Sequence, residues 1–182
     1  MKRFVLSSEE TVLLVIDLQE RLMRAVDRAE KVLHNAGLLL RLAGLMKIPV
    51  IVTEQYPQGL GMTVPEIKEV LPEHVLIEKK LFSAFVPELE QKLKDLNRPK
   101  IVVTGTETHV CVFQTVRDLV AAGYEVYVVQ DGVGSRFKEN YESGLELMRD
   151  LGAIITNTET VIFDLLKVAE GPVFKEMSRL LK

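Results

Sequence analysis

The chain alternates short apolar runs with segments of helical periodicity, and this alternation restricts its fold more than any other feature. Six runs rich in Val, Ile and Leu are predicted to be strands: Thr11–Ile16, 48–53, 74–78, 100–105, 126–130 and 153–156. Strands that alternate with helices in this way form a parallel sheet covered by helices on both faces. We therefore predict a three-layer α/β/α fold with a six-stranded parallel, Rossmann-like sheet, in a single domain over residues 1–182.

Helical patterns separate and follow these strands: Ala29–Met46, Pro87–Leu96, 111–122, 138–151, 158–168 and 173–181. The last of them carries an apolar stripe, which predicts a core contact or a subunit contact. The one long irregular stretch runs from Glu54 to Thr63, and loops of this length in compact domains often serve a functional site.

Composition and charge exclude several classes of protein. The 182 residues carry a net charge of −3 with scattered basic residues, which argues against nucleic-acid binding. The single cysteine excludes an intrachain disulfide. No apolar run approaches the ~20 residues of a membrane span, and the N-terminus turns polar at Ser7, too early for a signal peptide. We expect a cytoplasmic protein that binds neither nucleic acid nor a membrane.

Three reactive side chains follow the carboxyl ends of predicted strands. Asp17 follows the first strand, Lys79 follows the third, and the fourth leads through residues 105–110 to Cys111. Each alone is typical of an ordinary structural role: a turn carboxylate, a solvated ammonium group or a small buried side chain. Because ligands of open parallel sheets bind beyond the strand ends, their joint occurrence predicts a site.

These three groups suit acyl transfer through a thioester. Cys111, at the start of a helix and near an ammonium group, is expected to be a thiolate of lowered pKa. Asp17 could accept the thiol proton and return it to a leaving amine, while Lys79 holds the charges together. Backbone amides between Glu107 and Cys111 could form an oxyanion hole. The pattern therefore predicts an amidase.

Three segments resemble the isochorismatase-like cysteine hydrolases, a superfamily that includes nicotinamidases. They read Leu-Val-Ile-Asp-Leu-Gln at 14–19, Glu-Lys-Lys-Leu-Phe-Ser-Ala-Phe at 78–85 and Gly-Thr-Glu-Thr-His-Val-Cys-Val at 105–112. The resemblance extends from about residue 11 to residue 168. Residues 53–61 resemble the branch of isochorismatase-domain proteins whose substrates are mostly undefined.

The resemblance implies the strand order 3-2-1-4-5-6, assembly into homo-oligomers and a catalytic triad of Asp17, Lys79 and Cys111. It also implies a cis peptide bond between Thr106 and Glu107. The backbone amides of Glu107 and Cys111 would then be the oxyanion donors.

The substrate is expected to be a small molecule, in a pocket lined by residues next to the triad: Gln19, Gln55, Tyr56, Phe82 and Thr106. The side-chain amides among them could bind a carboxamide by paired hydrogen bonds. Nicotinamidases carry a metal-binding Asp-x-His pair in the loop after the second strand, whereas residues 54–57 contain no histidine. We therefore expect no metal and no other cofactor, and nicotinamidase activity is not favoured.

Two neighbours of the triad are expected to stay outside the chemistry. Family spacing selects Lys79 rather than Lys80, which should point the other way and be solvated. His109, two residues before Cys111, is interpreted as loop structure or pocket wall rather than as half of a Cys–His dyad.

Three hypotheses of function remain open. The first is a metal-independent cysteine hydrolase that cleaves a small amide through a thioester acyl-enzyme. The second is hydrolysis of a non-amide bond, such as the vinyl ether cleaved by isochorismatase, which needs Asp17 but not the thiol; no arginine cluster for two carboxylates is visible. The third is a non-catalytic protein whose thiol is oxidised reversibly or whose C-terminal helix docks a partner.

Overall fold

A computed structural model describes residues 4–181, so residues 1–3, on which part of the cytoplasmic prediction rests, lie outside the described residues. The strands are β1 (Thr11–Ile16), β2 (Val50–Gln55), β3 (His74–Lys79), β4 (Lys100–Thr106), β5 (Glu125–Gly134) and β6 (Ile154–Thr156). They form one parallel sheet in the order β3-β2-β1-β4-β5-β6. The predicted fold class and the strand order are confirmed.

Helices connect the strands and cover both faces of the sheet. They are α1 (Glu20–Met23), α2 (Ala29–Met46), α3 (Pro57–Leu60), α4 (Pro65–Lys68), α5 (Pro87–Leu96), α6 (Phe113–Ala121), α7 (Lys138–Asp150), α8 (Thr158–Leu166) and α9 (Gly171–Leu180), with a π-helical turn at Thr108–Val112. Within residues 4–181, none of the helices combines the length and the apolar character needed to cross a membrane.

The core has two halves, one on each face of the sheet. Side chains of α2, α8 and α9 pack on one face, and those of α5, α6 and α7 pack on the other. β1 serves both halves, because Leu13 and Val15 face the first while Leu14 and Ile16 face the second. Alternation along a strand that is buried on both faces explains why its sequence is apolar throughout.

The main differences from the sequence-based prediction lie at the carboxyl ends of the strands. β2 continues to Gln55 and α3 follows, so the stretch 54–63 is less irregular than its sequence predicts. β4 extends to Thr106 and β5 to Gly134. Cys111 lies inside the π-helical turn, and the α-helix that was expected to begin there begins at Phe113.

Gly105 allows β1 and β4 to approach closely where both lead into the site. It pairs with Ile16, has a φ of 133°, and a Cβ there would overlap the Ile16 carbonyl oxygen. Only glycine is compatible with both the positive φ and this contact. The end of β1 is therefore held directly against the end of β4.

Candidate active site

The carboxyl ends of β1 and β3 and the π-helical turn bring Asp17, Lys79 and Cys111 together. The side chains of Asp17 and Lys79 are fully buried, with 2.6 Å between the Asp17 Oδ2 and the Lys79 Nζ. The Cys111 thiol is buried beside the Asp17 carboxylate, whose charge and hydrogen bonding both raise the pKa of the thiol. One carboxylate thus contacts both an ammonium group and a thiol.

Asp17 is held by neighbours on both sides of β1. Its φ of 51° lies in the left-handed region, which aspartate and asparagine tolerate better than most residues. The Thr53 hydroxyl donates to Asp17 Oδ1 at 2.7 Å, and the Thr106 hydroxyl donates to the Asp17 carbonyl at 2.8 Å. The position of the carboxylate is therefore fixed by the sheet and not by a flexible loop.

Lys79 is the most heavily bonded side chain of the site. Besides the Asp17 carboxylate, its Nζ donates to Gln55 Oε1 at 2.9 Å, to the Phe82 carbonyl at 3.1 Å and to the Leu81 carbonyl at 3.3 Å. A buried ammonium group is tolerated only where such partners replace water. Lys80, by contrast, is exposed.

The environment of Cys111 raises the pKa of its thiol to about 12. Burial is the main cause, and the negative charge of Asp17 adds to it; Lys79 and a hydrogen bond from the Glu107 backbone act in the opposite direction but are weaker. The predicted resting thiolate is therefore wrong. The resting site contains a neutral thiol beside a carboxylate, because the thiol has left water and faces an anion.

The peptide bond between Thr106 and Glu107 is cis, as the resemblance implies. The Glu107 backbone lies near the Cys111 thiol and lowers the pKa of that thiol by hydrogen bonding. The Glu107 carboxylate points elsewhere and accepts hydrogen bonds from the Arg136 backbone amide at 3.1 Å and from Arg136 Nε at 3.0 Å. This turn thus presents a backbone amide to the sulfur and keeps its carboxylate paired.

Three of the five residues predicted to line the pocket have their polar groups occupied within the protein. Gln19 Nε2 donates to the carbonyls of Gln55 and Gly61 at 3.0 and 2.6 Å, and its Oε1 accepts from the Gln55 amide at 2.7 Å. The Gln55 side chain accepts from Lys79 and donates to the Lys80 carbonyl at 2.8 Å. The Thr106 hydroxyl bonds to Asp17. These groups hold the site together rather than offering hydrogen bonds to a carboxamide.

Tyr56 and Phe82 differ from these three because they are 50% and 55% exposed. Leu81 and Phe137 are also exposed apolar residues beside the site, and they were not identified from the sequence. The Leu81 carbonyl accepts a hydrogen bond from Lys79, and Phe137 follows Arg136, which is paired with Glu107. Phe137 follows the carboxyl end of β5, where the rule used for Asp17 and Lys79 could have found it.

An isochorismatase domain matches residues 11–160. This chain belongs to the isochorismatase family. It is 40% identical to the secreted isochorismatase effector Isc1 of Phytophthora sojae over 94% of this chain and 84% of that one. A structure described as MAR1 ribonuclease from Caenorhabditis elegans superimposes with a TM-score of 0.93, at 36% identity over 97% of this chain and 92% of that one. YcaC from Escherichia coli, described as an octameric hydrolase of unknown specificity, has the same fold at 24% identity, with a TM-score of 0.90 over 97% and 89% of the chains.

In this isochorismatase-family protein, the described residues include no group of three or more His, Cys, Asp and Glu side chains arranged to hold a metal. His109 Nδ1 lies 3.0 Å from the Ser135 hydroxyl. His74 Nδ1 lies near the Pro72 carbonyl, at the opposite end of β3 from Lys79. The hydrogen bonds of these two histidines are made with Ser135 and Pro72 and do not involve Cys111.

Replacing Gln19 with Leu should destabilise the fold measurably. It would leave the buried Gln55 amide and two carbonyls without their partner, and one unpaired buried group costs about 1–3 kcal/mol. Urea denaturation would measure the loss. Gln91→Leu is the matched control, since Gln91 makes one exposed hydrogen bond, to Asp95. Equal effects of the two substitutions would contradict the structural role of Gln19.

Proposed function

We propose that this isochorismatase-family protein is a metal-independent cysteine hydrolase that cleaves a small-molecule amide through a thioester. Family membership indicates a hydrolase. The observation that carries the amide proposal is the burial of the Cys111 thiol beside a carboxylate that Lys79 holds at 2.6 Å. A base in contact with a neutral thiol can remove its proton as the sulfur attacks a carbonyl carbon.

The first half of the reaction forms the acyl-enzyme. Asp17 takes the thiol proton, the sulfur bonds to the carbonyl carbon, and the carbonyl oxygen becomes an oxyanion. The backbone amides of Glu107 and Cys111 are the proposed donors to that oxyanion. When the C–N bond breaks, Asp17 gives its proton to the nitrogen, which leaves as ammonia or an amine.

The second half returns the enzyme to its resting state. Asp17 takes a proton from a water molecule, the resulting hydroxide attacks the thioester, and the C–S bond breaks. The proton then returns to the sulfur, and a carboxylic acid is released. Lys79 stays paired with Asp17, and its positive charge stabilises the negative charge of the carboxylate and the charge that develops on the sulfur.

The test is release of ammonia or a small amine from a panel of small amides. We expect Cys111→Ala and Cys111→Ser to abolish turnover, because the hydroxyl is a far weaker nucleophile under the same base. Cleavage of a vinyl ether would instead survive Cys111→Ser, since that reaction needs an acid but not a thiol. Turnover that persists in both variants would contradict the proposal.

The name of the Caenorhabditis elegans relative raises ribonuclease activity as a second class. RNA brings phosphate charges that are bound by cations. The two cations in contact with the site are already paired, Lys79 with Asp17 and Arg136 with Glu107. We therefore expect no cleavage of a labelled RNA that depends on Cys111: any cleavage by the wild type should be equal in Cys111→Ala. The favoured substrate is a small molecule.

The setting of the enzyme is also proposed. We propose one domain over the whole chain, homo-oligomeric assembly and a cytoplasmic location. The octameric YcaC supports homo-oligomeric assembly, whereas the Phytophthora sojae relative is named as secreted. Light scattering coupled to size exclusion would test the assembly.

A further inference from the structure

The polar side chains around the triad leave few hydrogen bonds for a substrate. Both Gln55 side-chain atoms, the Gln19 amide and the Thr106 hydroxyl are bonded within the protein. The ammonium of Lys79 has four partners. The guanidinium of Arg136 is paired with Glu107. A substrate carboxylate or carboxamide would have to break one of these contacts in order to bind to Gln19, Gln55, Thr106 or Lys79, whereas the Arg136 side chain is 53% exposed and is paired with Glu107 through its Nε.

Large apolar side chains, in contrast, are exposed beside the same residues. We call Tyr56, Phe82 and Phe137 the aromatic rim; they are 50%, 55% and 60% exposed. The Tyr56 amide donates to the Lys79 carbonyl at 2.9 Å, and the Phe82 carbonyl accepts from Lys79 Nζ at 3.1 Å. Phe137 lies beneath the Arg136 guanidinium, which in turn contacts Glu107. The backbone of Tyr56 and of Phe82 therefore contacts Lys79, and the Phe137 ring lies beside Arg136.

Exposed aromatic side chains at the edge of a site usually supply contact area for a ligand. A site whose polar side chains are mostly bonded within the protein, and whose edge carries exposed aromatic residues, favours burial of hydrocarbon over burial of an unpaired polar group. Among the described residues, the buried Thr108 hydroxyl in the π-helical turn is an exception, since it has no hydrogen-bond partner. We propose that the acyl group transferred to Cys111 is uncharged and apolar, and that the aromatic rim binds it. This proposal rests on the thioester mechanism above and narrows its substrate class.

A series of p-nitrophenyl esters tests the acyl preference without knowledge of the natural amide. The probes are the acetate, propionate, butyrate and pentanoate, together with the hemisuccinate, which matches the pentanoate in length but carries a carboxylate. The measured quantity is kcat/KM for nitrophenolate release, which reports acylation, divided by the rate of the same ester with free cysteine. This ratio removes the intrinsic reactivity of each ester.

We expect the ratio to rise about threefold to fourfold for each added methylene that the rim buries. The hemisuccinate should fall at least tenfold below the pentanoate. A ratio that is flat across the series, or highest for the hemisuccinate, would overturn the apolar proposal; the second result would indicate an exposed cation such as Lys80. Nitrophenolate release that is unchanged in Cys111→Ala would instead overturn the thioester mechanism.

Variants of the rim then test where the acyl group binds. Phe82→Ala and Phe137→Ala should flatten the dependence of the ratio on chain length, because they remove the apolar area against which the longer chains are buried. Phe163→Ala removes another exposed aromatic residue, from α8, and is the control. A chain-length dependence that survives both rim substitutions would assign the preference to other residues and overturn the role of the rim.

Discussion

Replacing Asp17 with Asn should make Cys111 more reactive towards iodoacetamide and, at the same time, stop hydrolysis. The Asp17 carboxylate raises the pKa of the thiol both by its charge and by the hydrogen bond that it accepts, whereas Lys79 lowers that pKa. In Asp17→Asn the carboxylate is gone, and Lys79, which lowers the pKa of the thiol, remains. Burial still raises the pKa in this variant, but the contribution of Asp17 is gone, so alkylation should be faster than in the wild type; each unit by which the pKa falls yields about ten times more thiolate at neutral pH.

Alkylation of the whole protein reports on this one residue, because Cys111 is the only cysteine. In the wild type the rate should keep rising with pH beyond the ordinary thiol range of about 8.5, without a plateau below pH 10, since the pKa is about 12. In Asp17→Asn the curve should shift to lower pH. Asparagine also tolerates the positive φ at this position, which favours retention of the local backbone.

Lys79→Met is the matched control, because it breaks the same ion pair but keeps the carboxylate. Removal of the ammonium group takes away an interaction that lowers the pKa of the thiol, so alkylation of this variant should be slower than in the wild type. If both variants react faster, local opening rather than the thiol pKa governs the rate. That outcome, or an unchanged rate in Asp17→Asn, would contradict the assignment of Asp17 as the base.

The same Lys79→Met substitution should cause the largest loss of stability in the site, about 3–5 kcal/mol, because it leaves a buried carboxylate without its counter-charge. Three further acceptors, Gln55 Oε1 and the carbonyls of Leu81 and Phe82, would lose their donor as well. Urea denaturation near neutral pH would measure the change in the free energy of unfolding.

Two comparisons make this measurement specific to the buried pair. Asp17→Asn combined with Lys79→Met removes both charges and should be more stable than Lys79→Met alone, since no unpaired charge then remains buried. Lys94→Met breaks an exposed ion pair with Glu90 and should change stability little. A double variant no more stable than Lys79→Met would show that lost packing, not the unpaired charge, dominates.

The fold and the meeting of the three reactive groups could be predicted because both follow from chain pattern. Alternating apolar runs determine a parallel sheet, and the carboxyl ends of its strands share one edge, so Asp17, Lys79 and Cys111 had to lie near one another. The protonation state of Cys111 did not follow from this pattern. The position of Cys111 near a helix start and a nearby lysine favour a thiolate, but burial and the contact with Asp17 raise the pKa of the thiol by more. The extent of burial and the contact with Asp17 cannot be predicted from the spacing of residues in the sequence.

The role of the side-chain amides was also beyond the sequence. Gln19 and Gln55 lie next to the triad, as predicted, yet their hydrogen bonds go to backbone groups and to Lys79. A pattern places a residue at the edge of a sheet, but it does not say which of several nearby partners its amide will choose. A polar residue near a site can therefore either stabilise the site by hydrogen bonds within the protein or bind the ligand.

At Gly105 the strand that carries the base and the strand that leads to the nucleophile lie in contact, with no room for a side chain between them. Any larger residue would push these strands apart and change the separation of carboxylate and thiol before it changed a surface that a substrate touches. Tyr56, Phe82 and Phe137 follow strand ends and can be exchanged without disturbing that contact. A change in these turn residues can therefore alter what the site binds while the spacing of the reacting atoms stays the same.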